Sequence, residues 1–67
     1  MDFAERARVR LTHWMTHNDN HQEEYQKFAV EFEEAGAREC ARQLREMAEL
    51  SRKSNDCLRK ALEALEE

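Results

Sequence analysis

The three histidines of the chain, His13, His17 and His21, fall at four-residue intervals, and Glu24 follows three residues later. On an α-helix, residues three and four apart stack along one side. Two imidazoles spaced four apart can grip a zinc, nickel, cobalt or copper ion, and a nearby carboxylate adds a third ligand. His17, His21 and Glu24 therefore form a candidate metal set, with His13 at its edge. At about 100° per residue, His21 lies close to the apolar stripe of its helix, His17 at the rim and His13 toward solvent. One chain thus supplies an incomplete coordination shell, which a second copy would close. The competing reading is structural: a hydrogen-bonded core histidine at 21, a boundary residue at 17 and a solvated one at 13.

Other chemistries find little support. Neither cysteine, and no serine, is spaced to pair with a histidine as an activated nucleophile. Gly36 is the sole glycine, so loops that cradle phosphate are absent. A non-enzymatic role is expected. The formal net charge is −4, with the acidic surplus lying before Gly36. No basic patch is interleaved with aromatics, which argues against nucleic acid as a partner. No apolar run approaches the ~20 residues of a membrane span. The opening Met-Asp-Phe-Ala-Glu lacks the order of a signal peptide. No membrane partner and a cytoplasmic location are the expectations. Cys40 and Cys57 stand about 25 Å apart along one predicted helix, too far to bridge, and read as two reduced thiols.

The elements that carry these residues are helical. The chain has 67 residues, no proline, one glycine and 39% charged residues of mixed sign, a composition that predicts an all-α domain. Asp2 with Glu5 reads as a capping box that opens helix 1 at about residue 3. Ala4, Ala7, Leu11, Trp14, Asn18, His21, Tyr25, Phe28, Phe32 and Ala35 then alternate at three and four, which makes one stripe. Gly36 supplies the left-handed residue that ends a helix. Helix 2, about 37–66, continues with Ala41, Leu44, Ala48, Ser51, Asn55, Leu58, Leu62 and Leu65. The prediction is one domain over 1–67, an antiparallel two-helix hairpin. Two other organisations fit less well: a single unbroken helix, since glycine costs only ~1 kcal/mol inside one, and three helices with a break near His17-Asn18-Asp19-Asn20.

A second stripe flanks each seam, with Met15, Gln22 and Ala29 on helix 1 and Cys40, Met47, Ser54 and Ala61 on helix 2. A hairpin alone needs only one narrow seam, and so short a chain buries little by itself. Met15, Ala29, Cys40, Met47 and Ala61 are therefore the expected oligomer interface. A twofold dimer of hairpins forming a four-helix bundle satisfies it, as would a different helical protein.

Folding at Gly36 places Asn18, His21 and Tyr25 opposite Ser51 and Asn55, so both helices turn polar at one height. Such a layer can satisfy its own hydrogen bonds and penalises a shift of register. Alternatively it lines a small pocket or fixes the tautomer of His21. Arg38, Arg45, Arg52 and Arg59 recur every seventh residue beside the seam, facing the acidic end of helix 1. Weak surface ion pairs are their expected role.

The segment His13-Trp14-Met15-Thr16-His17-Asn18-Asp19-Asn20-His21 resembles the H-W-x-x-H-N-x-x-H signature of short helical-hairpin domains from uncharacterised prokaryotic proteins. Ser54 to Leu62, an Asn-containing stretch leading into a leucine seam, is similar to their second helix. The resemblance implies a helical hairpin and an association with metal, but no reaction; Cys57 departs from the pattern. The expected function is a self-associating interaction module. The alternative is a module that binds or senses a transition metal through the histidine cluster.

Overall fold

The computed structural model describes residues 2–66. Two helices, α1 (Phe3–Glu34) and α2 (Arg38–Leu65), run antiparallel, and no strand occurs among the described residues. Asp2 is extended, and its Oδ1 accepts the Glu5 backbone N–H at 2.9 Å, which satisfies one of the donors left bare at the start of a helix. α1 runs unbroken through His17-Asn18-Asp19-Asn20: the packing of its neighbours outweighs the poor propensity of these four residues. The chain reverses at Gly36, φ +84°. Ala37 donates its N–H to Phe32 O at 2.8 Å, and Gly36 to Glu33 O at 3.0 Å. These bonds close the helix in the manner of a Schellman turn.

Nothing lies within 4 Å of where a Cβ would sit on Gly36, so only the backbone angle demands glycine. Gly36→Ala should cost about 1–2 kcal/mol from the left-handed conformation alone and lower the melting temperature by several degrees. An unchanged melting curve would contradict this account of the turn.

The molecule measures 51 × 17 × 10 Å. Its thinnest dimension is one helix diameter, so each helix has a single neighbour and no enclosed interior exists. Among the described residues the buried apolar ones are Ala29, Ala41 and Ala48, and no large side chain is fully buried. Small residues let the two helix axes approach closely, which is what gives a two-layer hairpin any core at all.

On α2 the seam follows the expected positions, from Ala41 through Ala48 and Asn55 to Leu65, all buried or half-buried. On α1 it does not. The seam takes Leu11, Met15, Asn18, Gln22, Tyr25, Ala29 and Phe32, while Trp14 and Phe28 remain 47% and 51% exposed. The structure therefore corrects the assignment of Trp14 and Phe28 to the hairpin core. It also corrects that of Ala29 to the oligomer interface. Ala29 is wholly covered within the single chain, and Met15 is half-buried. Ala29, Ala41 and Ala48 are the small residues over which the helices approach most closely, while Trp14 and Phe28 sit one step around α1, on its flank. Cys40, Met47 and Ala61 stay exposed, as their place on the flank requires.

The opposite face carries ion pairs. Arg45 bridges to Glu33 across the helices, while Arg42–Glu39, Arg52–Glu49, Arg52–Asp56 and Arg59–Asp56 run along α2. Hydrogen bonds from Arg42 and then Gln43 hold the Glu39 carboxyl down at about 2. All these groups are exposed, so they orient the surface more than they stabilise it.

Candidate functional site

Two groups of polar side chains stand out near the middle of the hairpin. The first is centred on Asn55, which is only 4% exposed. Its Nδ2 donates to Asp19 Oδ1 at 2.8 Å and to the Met15 carbonyl at 3.2 Å. Its Oδ1 accepts from Asn18 Nδ2 at 2.9 Å. Both amide N–H groups of Asn55 and its carbonyl are thus engaged, which is the condition for burying an amide without a penalty of a few kcal/mol. Among the described residues, no buried side-chain polar atom lacks a partner.

Of the polar layer expected from sequence, the structure joins Asn18 to Asn55. The remaining members differ. Ser54 rather than Ser51 lies near Asn18 Nδ2, at 3.4 Å. His21 and Tyr25 make their ring contacts along α1, not across to α2. Asp19 is a partner that the sequence reasoning missed. Its position immediately after Asn18, one step further around the helix, was the available signal.

The second group is a ladder of rings at four-residue steps along α1. His13 stacks toward His17 with centroids 6.3 Å apart, and His17 meets His21 edge-on at 4.2 Å. His21 lies parallel to Tyr25 at 5.5 Å. His17 Nε2 and His21 Nε2 are 2.8 Å apart, so one donates its proton to the other. Glu24 Oε2 lies 3.4 Å from His21 Nδ1. If that nitrogen carries its proton, His21 Nε2 is the acceptor and His17 Nε2 the donor.

This geometry separates the proposed ligands. The two Nε2 atoms converge on one point, as a shared ligand pair must. A tetrahedral ion at ~2.05 Å from each nitrogen needs them about 3.3 Å apart, a widening of about half an ångström that two surface rings can supply. Glu24 addresses the other nitrogen of His21, so within one chain it orients that ring and is no ligand beside the two Nε2 atoms. His13 is exposed and contributes only its ring face. No group of three or more His, Cys, Asp or Glu among the described residues is arranged to hold a metal ion.

A third feature lies at the open end of the hairpin. Phe3, Ala7, Leu11 and Trp14 of α1 form a groove with Ala61 and Leu65 of α2, beside Arg6 and Arg10, with a volume of about 550 Å³. Trp14 and Ala61 therefore share one face. Seven-residue steps along both helices extend it, through His21 and Phe28 on α1 and through Ser54, Met47 and Cys40 on α2. Met47 is 41% exposed and Phe3 71%. This long side of the molecule carries Phe3, Trp14, Phe28 and Met47 exposed, with His21 and Ser54 between them.

Fold and site together define a small helical-hairpin domain with a polar node in its seam and a histidine ladder on its surface. The chain matches, over residues 7–65, the model of a family described as a domain of unknown function, DUF8180. The match takes in nearly all of both helices, and the chain belongs to that family. No curated protein and no solved structure matches it. No helix among the described residues is long and apolar enough to cross a membrane.

Proposed function

We propose that this chain is a non-enzymatic interaction module that associates with itself, two hairpins packing into a four-helix bundle. The observation that carries this reading is the distribution of its apolar residues. Three alanines form the buried core, while Trp14, Phe28 and Met47 line one exposed face. A 67-residue chain with so small a core needs a staple or a partner to be stable, and a large uncovered apolar patch marks where the partner sits. Sedimentation at micromolar concentration should give a dimer mass. A stable, well-folded monomer would defeat the reading.

A second reading has its own support. The convergence of His17 and His21 at their Nε2 atoms suits capture of zinc, nickel, cobalt or copper, with further ligands from water or a second chain. Calorimetry should detect binding that is lost in the His17→Ala, His21→Ala double variant. Affinity no tighter than that of an ordinary solvated histidine pair, or unchanged by the substitutions, would reject it.

A further inference from the structure

The uncovered face of α1 has an internal symmetry. Its seventh-residue series runs Ala7, Trp14, His21, Phe28, Ala35: small, large ring, His, large ring, small, alike in both directions from His21. The adjoining series runs Arg10, His17, Glu24, Glu31, and its charges are complementary about nearly the same centre. All four of these side chains are exposed or half-buried.

We propose that a second copy of this chain covers the face, with the two α1 helices antiparallel and His21 opposite its own counterpart. The proposal rests on the self-association above and fixes its geometry. A twofold axis perpendicular to the helices makes such a contact isologous. Trp14 then meets Phe28 of the second copy, and Phe28 meets its Trp14, so that each large ring is covered by another. In an antiparallel pair the flank of one helix runs beside the same flank of its mate. Arg10 therefore lies beside Glu31 of the second copy. Parallel helices would instead set this flank beside the opposite flank of the mate, and Arg10 would have no Glu31 beside it.

The same register has a consequence for the imidazole pair. His17 comes within about one residue, ~1.5 Å along the axis, of the height of Glu24 of the second copy. The carboxylate missing from the set within one chain is then contributed across the interface, once for each half of the dimer. Binding of a metal ion and dimerisation are linked in this arrangement, each tightening the other by the same factor.

Cysteine cross-linking tests the register. In a background of Cys40→Ser and Cys57→Ser, both native cysteines being exposed and free, chains carrying Arg10→Cys and chains carrying Glu31→Cys are mixed and mildly oxidised. A disulfide should form between the two kinds of chain. Neither alone should link to itself, because the two copies of either position lie about 30 Å apart along the helices. As a second measure, Arg10→Glu should weaken the dimer about fivefold, and Glu31→Arg in the same chain should restore it. A dimer that links Arg10→Cys to itself, or in which the charge exchange fails to restore affinity, would overturn the register while leaving self-association standing. A chain that sediments as a monomer throughout would overturn both and assign the face to a different protein.

Discussion

Replacing Trp14 and Phe28 together with serine should convert the protein into a monomer that is largely unfolded at micromolar concentration. Each ring exposes about half its surface in the single hairpin. Covering that half removes on the order of 100 Å² from water, worth about 2 kcal/mol per ring at ~25 cal/mol/Å². Four rings meet in a symmetric dimer, so about 8 kcal/mol of association depends on them, comparable to a micromolar dissociation constant. Because the hairpin that remains has a core of alanines, losing the partner should remove helicity as well as mass. Circular dichroism and sedimentation read the two effects. Val30→Ser is the control: Val30 is 49% exposed but lies away from the Trp14 face, and its loss should change little. If the double substitution leaves mass and helicity intact, the exposed rings have no structural partner.

Asn55→Asp should be the most damaging single substitution in the seam. The new carboxylate would face Asp19, whose Oδ1 lies 2.8 Å from the present amide nitrogen, and would leave the Met15 carbonyl without its second donor. Burying an uncompensated charge of this kind costs about 3–5 kcal/mol at neutral pH. Asn55→Ala, which only removes partners, should cost about 2 kcal/mol. The two variants separate by pH. Burial and the neighbouring carboxylate raise the pKa of an acid at position 55 in the folded state above its unfolded value. The folded state then binds the extra proton more tightly, so stability relative to the parent is greatest below the unfolded pKa, ~3.9. It is lost as pH rises through the raised folded value. Urea unfolding at pH 4 and pH 7 should show the deficit of Asn55→Asp shrinking at low pH, and that of Asn55→Ala hardly moving. Equal deficits at both pH values would mean that the carboxylate is not buried.

The hairpin itself was legible because its signals are local. Asp2, Gly36 and the three-four spacing each act within a few residues, and the structure places both helices within two residues of the expected limits. The seam of α2 was legible too, since its apolar stripe is narrow. On α1 the larger rings, Trp14 and Phe28, mark a stripe one step around the helix from the residues that face α2. Trp14 and Met15, or Phe28 and Ala29, are only 100° apart, and hydropathy alone cannot say which of two adjacent stripes faces the neighbouring helix. Residue volume could have decided it. Ala29, Ala41 and Ala48 are the buried apolar residues, and small side chains mark where two helices approach most closely. The Asn18–Asn55 pairing followed from antiparallel register. Asp19 and Ser54 did not, because their participation depends on where side chains reach across the seam. For the histidines, spacing correctly placed the rings in one column. Which ring nitrogen faced Glu24 was a matter of rotamers that spacing does not encode.

Trp14 is the only tryptophan in the chain and lies on the uncovered face, 47% exposed in the single hairpin, so its fluorescence reports directly on whether that face is covered. With self-association, emission at micromolar concentration should be blue-shifted and shielded from acrylamide. It should move toward the solvent-exposed value on dilution, as the dimer dissociates. Emission that is red-shifted and freely quenched at every concentration, in a protein that remains fully helical, would contradict the covering of this face by a second copy.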